Sequence, residues 1–394
     1  MRKVTPVDFD LTEDERTIRS AVRDLAGRFG DEYWMEKDDA HEFPTEFYDA
    51  FAKGGWLGVT TPEEFGGQGL GITAASIILE EVAASGAGMN GASSMHLSIF
   101  GMHPVIVHGS QELKARTLPR IVNGDLHVCF GVTEPDAGLD TTKITTFAKR
   151  DGDHYVVSGR KVWISKAVEA EKVLLLTRTT RSEDVTKKTD GMTLFLTDLD
   201  RSRIDIRPIR KMGRNAVSST ELFIDDLRVP VEDRVGEEGQ GFRYILDGLN
   251  PERMLVAAEA LGIGRAALRR AVQYGNEREV FGRPIGKNQG LQFPLADSLA
   301  RLDAAELVLR KATWLYDQGR PCAREANMAK YLCADAGFDA ADRAVQTHGG
   351  MGYAEEYHVA RYFREARLTR IAPISQEMVL NYLGEHVLGL PRSY

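Results

Sequence analysis

Cysteine is scarce. The three cysteines among 394 residues, Cys129, Cys322 and Cys333, are too few and too scattered for a disulfide framework or a zinc site, and they fit a reducing compartment. No apolar run appears long enough to span a bilayer, and the stretch Met1–Asp10 has no apolar centre of a secretory leader. The expectation is a cytoplasmic protein without membrane association. Neither sign of charge dominates. Lys+Arg 50 against Asp+Glu 58 leaves a net charge of −8, which disfavours broad binding to nucleic acid or anionic lipid. Low-complexity segments and fixed-period repeats are missing, which excludes solenoids. His96, His103 and His108 lack a matching set of carboxylates or thiolates, so they read as helix or loop histidines and no metal site is expected.

What is present is ordinary for a globular chain: 43% hydrophobic and 27% charged residues, with length for two or three domains. Residues 1–127 read as helices. Thr12-Glu13-Asp14-Glu15 is a capping box, and Ile18, Val22, Leu25, Ala26 and Phe29 follow at helical spacing. A loop over Thr61–Gly69 precedes the apolar stretch Ile72–Ala84, helix continues through His108 and from Gln111 to Val122, and Asn123-Gly124-Asp125 stops it. Residues 128–235 change character. Short β-rich runs alternate with turns: Thr145–Lys149, His154–Val157, Lys161–Ile164 after a turn at Ser158-Gly159-Arg160, Val173–Thr177, Met192–Thr197 and Leu222–Ile224. That spacing predicts an antiparallel sheet or small barrel, with the polar Arg178–Asp190 as a loop. Residues 236–394 return to long helices, over Gly241–Glu279, Leu291–Gln318 and Arg324–Gln346.

Individual motifs are weak and their combination is specific. Phe130-Gly131-Val132-Thr133-Glu134-Pro135 runs from a strand into a glycine-containing turn, and Trp163-Ile164-Ser165 sets an aromatic plane beside a hydroxyl. With Tyr274, Arg278, Phe281-Gly282 and Ile285, then Gln289, then Gln346-Thr347-His348-Gly349-Gly350-Met351-Gly352-Tyr353, the chain resembles the acyl-CoA dehydrogenase family in order and spacing over nearly its whole length. Leu118-Pro119-Arg120, Gly124-Asp125 and Arg361–Arg367 support the match.

The resemblance implies a mostly α fold with a central β domain: an N-terminal helical domain, an antiparallel β-barrel or sandwich, and a C-terminal four-helix bundle. It implies bound FAD, an acyl-CoA substrate, an electron-transferring flavoprotein as acceptor, and a homotetramer. Carried over residue by residue, Phe130, Val132 and Thr133 would meet the flavin pyrimidine edge. Trp163 and Ile164 would lie against the ring, and Ser165 would place its hydroxyl on N5. Arg278, Phe281 and Gln289 would hold the pyrophosphate and adenine side of a neighbouring subunit's FAD, with Gln346, Gly349 and Gly350 on the same cofactor. Ser375 and Glu377 match a Thr-x-Gln/Glu position at the flavin. Leu139, Arg243, Asn250 and Arg253 fall on the substrate side. The chemistry suits these roles: Arg278 offers a fixed fork of donors for a pyrophosphate, glycines allow close backbone approach, and a hydroxyl at N5 stabilises charge on the reduced ring.

The resemblance also has a break. Most of the family carries its catalytic glutamate in a C-terminal Ile-Tyr-Glu-Gly-Thr loop; here that stretch is Ile371-Ala372-Pro373-Ile374-Ser375. Proline can neither take a proton nor donate a backbone N–H. A minority, resembling the isovaleryl-CoA and long-chain enzymes, carries the base in Leu-x-x-Glu-Arg, and Leu249-Asn250-Pro251-Glu252-Arg253 matches that pattern. Glu252 is therefore the expected base, with Arg253 as a local support and CoA-side contact. Pro251 either bends a helix beside Glu252 or marks where that helix begins. Ile374 stands for a family glycine and Leu139 for a family serine, which points to an altered acyl pocket. A flavin-dependent monooxygenase or oxidase, and a non-catalytic partner subunit, are the competing readings. Acyl length and carrier, CoA or acyl carrier protein, are not legible.

Overall fold

The structure, a computed structural model, describes residues 10–393; most of the N-terminal stretch read for a leader lies outside them. In chain order the helices before the sheet are α1 (Glu13–Ala26), α2 (Asp31–Ala40), α3 (Thr45–Lys53), α4 (Ile72–Val82), α5 (Gly88–His96), α6 (His103–His108) and α7 (Gln111–Val122). The strands are β1 (Val128–Gly131), β2 (Phe147–Asp151), β3 (His154–Ser165), β4 (Lys172–Arg178), β5 (Met192–Asp198), β6 (Ile204–Pro208), β7 (Ser219–Pro230) and β8 (Arg234–Val235). Then come α8 (Gly241–Asp247), α9 (Leu249–Glu277), the small strands β9 (Glu279–Val280) and β10 (Arg283–Pro284), α10 (Gln289–Asp317), α11 (Ala323–His348), α12 (Val359–Thr369) and α13 (Gln376–Tyr382). The expected order of helices, central sheet and helices is what the chain forms.

Two compact units divide it. Among the described residues, one comprises 10–31, Ile72–Gly88 and 253–393; the other comprises Glu32–Gly71 and Met89–Glu252. In the sheet-bearing unit the strands run β6-β7-β3-β2-β4-β5-β8, with β1 added on β4. The sheet is mixed: β1 and β2 each pair β4 in parallel, and the other ladders are antiparallel. Its centre is covered on both faces. Leu174, Leu176, Leu194 and Leu196 pack into one core with Met102, Val105, Leu118, Ile121, Tyr244 and Ile245. Val173, Leu175 and Phe195 pack into the other with Cys129, Tyr155, Leu222 and Val229. Double-sided burial explains why β4 reads as an unbroken apolar run rather than an alternating one.

Ser158-Gly159-Arg160 does not turn the chain: β3 is one continuous strand whose register against β7 shifts between Val157 and Gly159 and again between Lys161 and Ile164. Bulges absorb the extra residues, which sequence spacing cannot distinguish from a turn. Strand β6 was not foreseen, and β7 extends far beyond Leu222–Ile224. The 178–190 loop is pinned by the buried Arg178 guanidinium, which donates to the carbonyls of Thr142, Ile144, Lys188 and Asp190. The helical run Ile72–His108 is also long and apolar enough to cross a bilayer by length and composition, contrary to expectation, yet 89% of its most apolar window is buried in the protein. Core packing accounts for that apolarity.

The helical unit packs α10 against α11, α11 against α12, and α1 and α10 against α4. The Thr12 capping box forms as expected, with Glu15 N donating to Thr12 Oγ1 and Thr12 N to Glu15 Oε2. Glycines set the closest helix approach. A Cβ at Gly337 on α11 would sit 2.3 Å from the Ala260 carbonyl oxygen of α9, and one at Gly264 would sit 2.8 Å from Gly337 Cα.

Two predictions follow from these packings. Gly337→Ala should lower the unfolding free energy by roughly 1–3 kcal/mol through overpacking against α9 backbone, read from urea midpoints at constant m-value. The second concerns Lys161 and Glu134, whose side chains are 0% and 5% exposed and 2.8 Å apart. Lys161→Met leaves a buried carboxylate unpaired and should cost roughly 3–5 kcal/mol, with Lys161→Met/Glu134→Leu milder than the single change. Burial works to raise the Glu134 pKa, but the Lys161 charge and the hydrogen bonds from Lys161, Thr146 and Thr145 hold it below its ordinary 4.5. Its contribution is therefore complete above that ordinary value and lost as acidification passes the lower folded-state value, so the wild-type advantage over Lys161→Met should shrink on acidification.

Candidate functional site

In the sheet-bearing unit the predicted residues converge on the seam between β1 and β3. Lys161 Nζ donates to the Val132 carbonyl at 3.0 Å and to Glu134 Oε1 at 2.8 Å. Glu134 also accepts from the backbone N–H groups of Thr145 and Thr146 and from the Thr145 hydroxyl. Val162 N donates to the Thr133 carbonyl at 2.9 Å. Val132 and Thr133 are thereby held beside Val162-Trp163. Trp163 is 58% exposed and adopts φ 61°, in the left-handed region that costs a non-glycine residue energy. Lys166, three residues on, has φ 66°; its buried ammonium donates to the Ser94 carbonyl at 3.0 Å, and burial draws its pKa down to about 7. Ser165, between these two strained residues, accepts from Arg214 Nη2 at 3.0 Å. Ile164 departs from its assigned role. Its side chain is 1% exposed within the β core, so only its backbone remains for a ligand. Phe130 is half-buried against the other core, and Leu139 is 61% exposed in the loop that follows.

The proposed base lies in this unit too. Helix α8 ends at Gly248 and α9 begins at Leu249, so Pro251 occupies the first turn of α9 rather than a bend within a longer helix. Glu252 N donates to the Gly248 carbonyl at 3.1 Å. The side chain is held: Glu252 Oε2 lies 2.8 Å from His96 Nε2, with His96 9% and Glu252 29% exposed. His96, read from sequence as a plain helix histidine, ends α5 immediately before a π-helical segment, Leu97–Gly101. It is 156 residues away in sequence, and no local signal marks it. Asn250 is half-buried beside Glu252 in sequence, whereas Arg243 on α8 is exposed.

The helical unit holds the rest. Arg278 follows α9, and its carbonyl accepts from Ile285 N at 2.8 Å across the β9–β10 hairpin. The two-residue loop of that hairpin is Phe281-Gly282, both at positive φ (56° and 74°), and Phe281 is fully exposed at its tip. Gln289 opens α10. Gln346 is exposed at the end of α11, and a Cβ at Gly349 or Gly350 would meet nothing within 4 Å. Ser375 is the N-cap of α13, its hydroxyl accepting from Met378 N, and Glu377 sits in the first turn. Hydrogen bonds from its own backbone N–H and from Ser375, ahead of the Lys330 charge, hold Glu377 below the usual carboxylate range. Both residues thus have a capping role whatever else they touch. Pro373 is exposed between α12 and α13.

Lys330 on α11 was also missed. It is wholly buried, its Nζ has no hydrogen-bond partner among the described residues, and burial lowers its pKa to about 8 against the pull of Glu377. In the sheet-bearing unit the exposed ring of Trp163, with Thr133 and Ser165 held in the same strand seam, offers the aromatic face and the polar partners that a flavin requires. The donor set fits FAD.

Family models match three successive stretches: the acyl-CoA dehydrogenase N-terminal domain over residues 12–125, the middle domain over 129–227, and the C-terminal domain over 239–388. Acyl-CoA dehydrogenase FadE12 of Mycobacterium tuberculosis is 40% identical over 397 residues, covering 99% of this chain and 100% of that protein. Among solved structures, butyryl-CoA dehydrogenase from Megasphaera elsdenii superposes with TM-score 0.91 at 30% identity, covering 97% of this chain and all of that one. A chain from a structure described as the electron transferring flavoprotein of Acidaminococcus fermentans superposes with TM-score 0.92 at 32% identity, with coverages of 97% and 100%. The chain belongs to the acyl-CoA dehydrogenase family, FAD-dependent oxidoreductases that act on acyl-CoA.

Proposed function

We propose that this chain oxidises a saturated acyl-CoA thioester to the 2,3-enoyl-CoA, with Glu252 as the base that removes the α-proton. Bound FAD supplies the hydride acceptor, at N5, for hydrogen leaving the β-carbon. The observation that carries the reading is the Glu252–His96 hydrogen bond of 2.8 Å. A solvated helix carboxylate would wander; this one has one oxygen engaged by an imidazole and the other available for a proton.

The remaining roles belong to the same proposal. Phe130, Val132, Thr133, Trp163, the Ile164 backbone and Ser165 would serve one FAD. Arg278, Phe281, Gln289, Gln346, Gly349 and Gly350 would serve a neighbouring subunit's cofactor, for which a fully exposed Phe281 on a rigid hairpin is suited. Ser375 and Glu377 would order the α12–α13 connection at the cofactor, and Leu139, Arg243, Asn250 and Arg253 would face acyl-CoA. A homotetramer, an electron-transferring flavoprotein as acceptor, a cytoplasmic setting and domain limits at 127/128 and 235/236 complete the reading. Pro373, which lacks an N–H, cannot donate to the thioester oxygen.

Anaerobic mixing of the purified FAD-loaded protein with straight, branched and cyclic acyl-CoAs should bleach the oxidised flavin for at least one class. Glu252→Gln should retain FAD and slow that bleaching by roughly 10²- to 10⁴-fold, as expected for loss of a general base. Undiminished bleaching in Glu252→Gln would refute the assignment. His96→Ala, which keeps the carboxylate but frees it, should retain FAD and slow bleaching by roughly 10-fold or more, the scale of one hydrogen bond to a charged group.

A further inference from the structure

Arg214 sits in the connection between β6 and β7, outside every motif read from the sequence. Its Nη2 donates to Ser165 Oγ at 3.0 Å and to Ser219 Oγ at 2.6 Å, and Nη1 lies 3.5 Å from Ser93 Oγ. The two acceptors of Nη2 are cross-strand partners, Ser165 on β3 opposite Ser219 on β7. The guanidinium therefore caps the end of that ladder, directly on the hydroxyl that follows Trp163-Ile164.

Its backbone is forced into place. Arg214 has φ 58°, in the left-handed region that a residue with a Cβ enters only at a cost. A buried network compensates. Asp38, 2% exposed, accepts from Asn215 N at 2.7 Å and from Asn90 Nδ2 at 3.0 Å. Asn90, wholly buried, accepts from Ala216 N at 3.0 Å. Lys211 Nζ donates to the carbonyls of Arg214 and Val217. Strain retained under such over-determination marks a position whose aim matters.

The aim has a chemical consequence. A serine hydroxyl has one hydrogen and two lone pairs, and a guanidinium has donors only. With Arg214 on a lone pair, the Ser165 hydrogen cannot point at Arg214 and is left to be donated elsewhere. We propose that Arg214 is a positioning residue for the bound flavin: it commits Ser165 to donate its hydrogen to the cofactor and keeps a permanent positive charge one hydrogen bond behind that contact. This rests on the reading of Ser165 as the flavin's hydroxyl partner. A fixed cation there stabilises negative charge gained on reduction more than it stabilises the oxidised ring, so it makes the flavin easier to reduce.

The test is the midpoint potential of the bound flavin, measured by equilibrium reduction against a redox dye of known potential in wild type, Arg214→Met, Arg214→Lys, Ser165→Ala and Ser165→Ala/Arg214→Met. Arg214→Met should lower the potential, decreasing the reduced-to-oxidised ratio at fixed poise roughly 10-fold. Arg214→Lys, which keeps the charge and loses the two-acceptor fork, should fall between Arg214→Met and wild type, and it serves alone if Arg214→Met does not fold. The effects of Ser165→Ala and Arg214→Met should be non-additive in the double variant. A wild-type potential in Arg214→Met, or in Arg214→Lys where only that variant folds, overturns the proposal, as does strict additivity. If Ser165→Ala itself keeps the wild-type potential, the underlying reading of Ser165 fails, and the proposal with it.

Discussion

A single buried ion pair organises the seam on which the sheet-bearing site depends. Lys161 and Glu134 come from strand β3 and from the turn after β1, and each satisfies the other where water cannot reach. Taking two charges out of water is costly, and it is tolerated only when the remaining donors and acceptors are filled. Here they are filled by Val132, Thr145 and Thr146. The geometry that satisfies this pair also sets Thr133 against Val162 and leaves Trp163 projecting in a strained conformation. The pair therefore acts chiefly as a register device: β3 cannot slide along the 131–134 segment without leaving a charge unpaired in the core.

A second constraint governs the proposed base. Proline at the third position of α9 lacks the N–H that a longer, continuous helix would need, so the helix starts at Leu249 and a new N-terminus arises. Glu252 occupies the first turn of that helix, and His96 fixes one of its oxygens. Proline at 373 can take no proton, whereas α9 carries an acid whose direction is set by an imidazole. Among the described residues the non-glycine positions at positive φ include Trp163 and Phe281, both in segments assigned to the cofactor, but also His41, Asp226 and His358, which are not.

Much of the fold was legible because its signals are local. The Thr12 capping box, the Asn123-Gly124 stop and the long helical periods all appear where side-chain spacing put them. The β region was less legible. A bulge and a turn share the same Ser-Gly composition, and only the ladder between β3 and β7 distinguishes them. Ile164 shows the same limit in the site: a residue between Trp163 and Ser165 reads as a ligand contact, but strand alternation across the bulge drives its side chain into the core.

The sequence by itself determined the family, the order of helical and β regions, the proline at 373 and the candidacy of Glu252. Those conclusions depend on which residues stand at which spacing, and spacing is a one-dimensional property. Tertiary structure alone decided the partners. His96 meets Glu252 across 156 residues, and Arg214 meets Ser165 across 49. Hydrogen bonds act over about 3 Å, and side chains so far apart along the chain reach that distance only through packing and strand register that no local pattern encodes.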